Sequence, residues 1–180
     1  EIGDDAAEIF RFFRQSYQKP KLKHLNIAPF DLRGFLRAKI EREIANHAEG
    51  KPAGISVKLN NFSDPATNEL FHQAAAAGVP VRLIVRSMYS LVVEDGGPIE
   101  AISIVDKYLE HSRMLIFTNG GEPEVYLSSA DFMPRNFDTR VETIFPIYEP
   151  ELRKQLIDYY DIQWSDNTKA RLLDRSLTNG

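Results

Sequence analysis

Between Ile55 and Arg86 the chain sets a strand, a helix and a second strand end to end with short links. ISVKLN alternates, with Ile55, Val57 and Leu59 on one face and Ser56, Lys58 and Asn60 on the other, as a strand requires. Asp64 and Pro65 stand where an N-cap and first helical residue belong, before a helix running to about Ala77 with Gly78 beyond its end. VPVRLIVR follows as an apolar strand. The unit predicts a parallel strand pair joined by a right-handed crossover.

Around it the reading is α/β with a mixed sheet flanked by helices. Residues 5–15 place Ile9, Phe10, Phe12 and Phe13 at helical spacing, as one face of a short amphipathic helix. LKHLNIAPF reads as a short strand. Asp31 then sits as N-cap before LRGFLRAKIEREIANHAEG, whose Phe35, Ile40 and Ile44 suit a stripe on a sheet and which Gly50 closes. Residues 87–100, with Asp95, Gly96, Gly97 and Pro98, read as a polar loop. AISIV and RMLIF are strands, and NGGEPE is the turn of a hairpin returning through VYLSS. VETIFPIY is a further strand ending at Pro150, PELRKQLIDYYDIQW a helix, and a polar tail begins near Ser165.

Length and charge bound the function. With 180 residues the chain is one ordinary domain with a real core. The absence of cysteine excludes disulfides, thiolate zinc sites and cysteine nucleophiles. No apolar run approaches the roughly 18 residues of a membrane span, and the acidic start is unlike a signal peptide. Opening on Glu1 with a helix-like segment and no lead-in, the chain reads as an excised fragment. Lys plus Arg total 22 against 26 Asp plus Glu, a net charge of -4. Bulk attraction to nucleic acid is therefore excluded, and any anion must be met by a local cluster.

Candidate cations stand at strand ends. Arg86 terminates VPVRLIVR, and in open α/β sheets ligands bind outside the carboxyl ends of strands, where a guanidinium can clamp a phosphate or simply cap the strand in solvent. His111 and Arg113 flank Ser112 at the entrance of RMLIF and share a face at strand period. An imidazole beside a fixed positive charge is suited to phosphoryl chemistry. SSADFMPRNFDTR adds hydroxyls, an amide and Arg140 after a strand, and Lys58 and Asn60 share the polar face of theirs, which an exposed sheet face explains equally well. His47 and His72 read as solvated, and His24 as either exposed or packed. No HxH, HExxH, Walker loop or dinucleotide fingerprint is present, so neither a protein-built metal site nor a conventional nucleotide fold is expected.

The string HSR, an apolar strand, Asn119-Gly-Gly and YLSSADFMPRN resembles the half-site of the phospholipase D superfamily, in which H-x-K precedes a strand and a G-S-x-N bend. Taken with KLNNFSDP, AAGVPVRLIVR, AISIVDKYLEHSRMLIF and SSADFMPRNFDTRVE, the chain from about Asn26 to Asn179 resembles the C-terminal domain of the bacterial polyphosphate kinase family, which has the same fold. The resemblance implies a phospholipase D-like domain over residues 21–180, preceded by a helix and linker at 1–20 from the neighbouring domain. It implies an enzyme that reversibly moves the terminal phosphate of ATP onto polyphosphate through a phosphohistidine, with Mg2+ accompanying the nucleotide. By that resemblance Arg86 and His111 contact the ATP phosphates. The phosphorylated histidine, in an H-H-P-Y type motif, and the metal ligands belong to upstream sequence, so the fragment alone is expected to be inactive. Arg113, Arg140 and Lys58 join the site on strand faces and on the charge that phosphoryl transfer must neutralise.

The implied partners are ATP, ADP, polyphosphate, the preceding catalytic domain and, as an option, a second copy of the chain. Nucleic acid is not among them. The implied location is cytoplasmic, with membrane-peripheral attachment allowed. Departures shape the reading. Against the phospholipase D pattern, Arg113 replaces the Lys, Thr118 stands where the Asp is expected after four further residues, and Asp131 replaces the Asn. These argue against hydrolysis by a twin-histidine site. Against the kinase pattern, Ser87 replaces a Gly and Tyr89 stands where Cys is frequent. The alternatives are a phosphodiesterase half-site active as a dimer with paired His111 residues, and a non-enzymatic polyanion-binding module.

Overall fold

The computed structural model describes residues 2–91 and 96–173. In chain order it contains α1 (Ile2–Arg14), β1 (Asn26–Ile27), α2 (Leu32–Ala48), β2 (Ile55–Leu59), α3 (Pro65–Ala76), β3 (Val81–Val85), β4 (Ile99–Ile104), β5 (Met114–Phe117), β6 (Glu124–Ser128), α4 (Pro134–Asp138), β7 (Thr143–Pro146), α5 (Pro150–Trp164) and β8 (Ala170–Leu172). Asp95 of the expected polar loop and the end of the expected polar tail, Asn179 included, lie outside the described residues.

The βαβ unit forms as its residues predict. Asp64 accepts the Thr67 N–H as N-cap of α3, Pro65 fills the first turn, and β2 runs parallel to β3. Gly78 ends the helix at φ +86°, where a Cβ would come within 2.8 Å of His47 Nε2. The strands form one mixed sheet in the order β1-β7-β6-β5-β2-β3-β4-β8, parallel across β2, β3 and β4 and antiparallel elsewhere.

Apolar alternation places helices on both faces. Ile55, Val57 and Leu59 pack with Leu36 and Ile40 of α2 and Phe71 of α3. The opposite face buries Ile84, Ile102 and Met114 against Tyr160 and its neighbours on α5. The polar face of β2 is therefore covered, and Lys58 is only 5% exposed. Glu43 of α2, fully buried, accepts backbone N–H groups from Gly54 at 3.1 Å and Asn119 at 2.9 Å, tying the helix to the start of β2 and to the β5–β6 turn. That turn is a single 3-10 turn in which Asn119, Gly120 and Gly121 all have positive φ.

Several expectations are revised. The segment around Asn26 contributes just two strand residues, paired with β7. Asp31 stands at the N-cap of α2 without a side-chain cap bond; its carboxylate lies 3.3 Å from Lys19 Nζ instead. On α1, Phe10 and Phe13 are exposed, and the buried residue is Asp5, which accepts the N–H groups of Lys23, His24 and Leu25. The bend after β6 contains the short helix α4, and the tail contains β8, which acquires strand geometry by pairing with β4.

Candidate functional site

Strand direction gathers the candidate residues at one end of the sheet. The carboxyl ends of β2, β3, β4 and β6 meet there with the amino ends of β5 and β7, because the latter two run antiparallel to their neighbours. Lys58 is the penultimate residue of β2, Arg86 follows β3, His111 and Arg113 precede β5, and Arg140 precedes β7. The turn carrying Arg86 is stitched to β2: Arg86 N–H donates to the Leu59 carbonyl and Ser87 N–H to that of Asn60. From that turn Arg86 Nη1 donates to the Glu110 carbonyl at 3.1 Å. A cavity of about 350 Å³ opens beside it, lined by Arg86, Ser87, Ile104, Tyr108, Leu109 and Glu110 among others.

Behind the cavity is a closed ring of hydrogen bonds. Lys58 Nζ donates to Ser112 Oγ at 2.8 Å and to Glu110 Oε2 at 3.3 Å. The Ser112 and Tyr159 hydroxyls lie 3.1 Å apart, and Tyr159 in turn donates to the same Glu110 carboxylate. Burial pushes the Lys58 ammonium down from its ordinary range, with Arg86 and Arg113 adding repulsion and Glu110 offsetting part of it. The Tyr159 hydrogen bond above all, with Lys58 adding to it, holds the Glu110 carboxyl below its ordinary value against the opposing effect of burial.

Arg113 is not a free cation. Its Nε donates to Asp131 Oδ1 at 2.8 Å, and Nη2 lies 3.2 Å from His111 Nε2. Asp131 also receives the Asn60 N–H at 2.9 Å and Asn61 Nδ2 at 2.8 Å. Burial alone would raise this carboxyl, but Arg113, Asn61 and the Asn60 amide outweigh it and lower it. Arg86, His111, Lys58 and Arg113 are thereby brought together through Glu110 and Ser112. Arg140 is at the same end of the sheet but held elsewhere, exposed and 3.8 Å from Glu142. His47 and His72 are exposed, and His24 Nδ1 lies 2.7 Å from the Tyr148 hydroxyl.

Glu110 and Tyr159 are the participants that sequence reading missed. Glu110 adjoins His111 in LEHSR, and that adjacency is its signal in the sequence; Tyr159 comes from α5, and nothing local marks it. The arrangement offers donors to an anion and does not suit a magnesium ion, since Glu110 is occupied by Lys58 and Tyr159 and Asp131 by Arg113, Asn60 and Asn61. Among the described residues no cluster of three His, Asp or Glu side chains has the geometry to hold a metal. No helix among them is long and apolar enough to cross a membrane.

Comparison with known proteins gives a consistent set of likenesses. The family model described as polyphosphate kinase C-terminal domain 2 matches residues 25–180. The polyphosphate kinase of Escherichia coli (strain K12) is 43% identical over 181 residues, covering 99% of this chain and 26% of that protein. That of Vibrio parahaemolyticus is 39% identical over 182 residues with the same coverage. The chain spans about a quarter of the length of these curated relatives. Among solved structures, polyphosphate kinase from Porphyromonas gingivalis superposes with a TM-score of 0.92 at 38% identity, over 97% of this chain and 27% of that one. Nuc from Salmonella typhimurium, a phospholipase D family member, gives a TM-score of 0.59 at 13% identity over 83% of this chain and 97% of its own. This second likeness is one of fold, and the fold is phospholipase D-like.

Proposed function

The chain belongs to the polyphosphate kinase family, and from that premise we propose that it holds the phosphates of ATP while the terminal phosphoryl group moves to and from polyphosphate. Residues 21–180 are the domain that does this, and residues 1–20 lead in from the neighbouring one. Arg86 and His111 contact the phosphates. Lys58 and Arg113, paired with Glu110 and Asp131, hold the segment that carries His111, and Arg140 lies further along the same end of the sheet. In the reaction, a histidine outside these residues attacks the terminal phosphorus, the bond to the bridging oxygen breaks, and ADP leaves. The phosphoryl group then passes from nitrogen to the terminal oxygen of polyphosphate.

The observation that carries this reading is the tie between Arg86 and the segment bearing His111, made at the mouth of a cavity at strand carboxyl ends. Phosphoryl transfer has a loose transition state and is accelerated mainly by positioning and charge neutralisation, which fixed donors supply. Magnesium accompanies the nucleotide on ligands from outside the chain, because the carboxylates here are engaged. The protein works in the cytoplasm, where ATP is. The hydrolytic half-site is less well supported, since Arg113 and Asp131 neutralise each other.

Thermal unfolding with and without ATP tests the reading. ATP should raise the melting temperature, and Arg86→Ala or His111→Ala should abolish the rise. The chain alone should form no acid-labile phosphohistidine from labelled ATP. A phosphohistidine on these residues would sink the division of labour, and an ATP response untouched by both substitutions would remove the assigned contacts.

A further inference from the structure

Arg113 stands between a carboxylate and an imidazole. A guanidinium carries donors only and keeps its proton in proteins. The His111 nitrogen that faces Arg113 Nη2 at 3.2 Å, Nε2, must therefore offer its lone pair. In a neutral imidazole the proton then resides on Nδ1. What holds the guanidinium in this place is Asp131, 5% exposed, whose own position is set by the Asn60 N–H and the Asn61 amide at the end of β2.

We propose that Asp131 is a positioning residue for His111, acting through Arg113: the buried carboxylate fixes the guanidinium, and the guanidinium holds His111 with Nε2 as acceptor and Nδ1–H as donor. In that state neither ring nitrogen has a lone pair free to attack phosphorus. His111 is thereby suited to donate a hydrogen bond to a phosphate oxygen and unsuited to become the phosphorylated residue. This consequence rests on the reading of His111 as a phosphate contact; the tautomer itself does not.

The chain has four histidines, so selective 15N labelling of the imidazoles and long-range 1H–15N correlation at neutral pH read each tautomer directly. The expected result is Nδ1–H for His111 in the parent and a shift toward Nε2–H in both Asp131→Asn and Arg113→Met. Asp131→Asn keeps an oxygen for the Asn60 N–H, and Arg113→Met keeps the aliphatic stem, so the measurement survives if one variant fails to fold. An Nε2–H tautomer in the parent, or an Nδ1–H signal that persists in either folded variant, overturns the proposal. In the full-length protein, Asp131→Asn should lower kcat for ATP-driven transfer about tenfold to a hundredfold, with the melting temperature as control. The expected tautomers without any ATP binding would support the relay and overturn the functional reading, so the two fail separately.

Discussion

Arg86 Nη1 donates to the backbone carbonyl of Glu110 at 3.1 Å, across a separation of 24 positions. One residue thus serves two ends: the Glu110 carbonyl orients the cation after β3, while its carboxylate is held by Lys58 and Tyr159. His111 is next in the chain, so displacement of Glu110 would move both proposed phosphate contacts.

Glu110→Ala should weaken ATP protection against unfolding and cost about 2 kcal/mol of stability, because it leaves the buried Lys58 ammonium without its counter-charge. The double variant Glu110→Ala with Lys58→Met should recover most of that stability without recovering ATP protection. Urea unfolding of both single variants and the pair measures the coupling. Equal stability of Glu110→Ala and the parent would contradict the ring of bonds around Lys58.

Glu124 confers a pH dependence. Burial alone would raise its carboxyl, but hydrogen bonds from Arg42, Lys39 and Tyr126 hold it at about 2, against 4.5 when unfolded. A depressed folded pKa means stabilisation that is complete above the unfolded value and lost as pH falls from 4.5 toward 2. By pH 3 the loss should amount to about 2 kcal/mol at most in the parent and be largely absent in Glu124→Gln, which starts less stable at neutral pH. Urea midpoints between pH 7 and pH 3 decide it; parallel acid profiles for the two proteins would refute it.

Asp64 combines a cap with an ion pair in which the carboxylate is buried and Arg33 is partly exposed. Its carboxylate accepts the Thr67 N–H at 2.9 Å and both terminal nitrogens of Arg33, at 2.6 and 2.9 Å. Asp64→Ala should cost roughly 3–5 kcal/mol, since the cap is lost and Arg33 keeps only the exposed Asp138. Asp64→Asn, which can still cap, should cost less. Chemical denaturation of the two variants ranks them, and the reverse order would be inconsistent with this account.

Glu43→Ala should strand the Gly54 and Asn119 N–H groups and destabilise the chain by about 2–4 kcal/mol. Native-state hydrogen exchange gives a local readout: both amides should lose protection in the variant. Unchanged protection at Gly54 and Asn119 would show that another acceptor replaces the carboxylate.

Reading the chain without its fold succeeds where information is local. The Asp64 cap, the Pro65 start and the alternation of ISVKLN place α3 and β2, and PELRKQLIDYYDIQW coincides with α5. It fails where an element owes its form to a distant partner. Ala170–Leu172 has no strand signature of its own and becomes β8 by pairing with Ile102–Ile104. Phe10 and Phe13 have the spacing of a buried face, but in the folded chain they remain exposed.

The same division applies to the site. Arg86, His111 and Arg113 could be picked out because strand ends and an H-x-R spacing are visible in sequence, and strand polarity brings them to one end of the sheet. Which of them stay free is decided by side-chain neighbours. Lys58 reads in sequence as a cation facing either the pocket or solvent and is buried beneath α5 beside Glu110 and Tyr159; Arg113 reads as a fixed charge beside His111 and is committed to Asp131. Periodicity and capping determine the elements because they depend on residues a few positions apart. The charge and donor state of each group depend on burial and on partners from other strands and helices, which only the packed sheet brings within hydrogen-bonding distance.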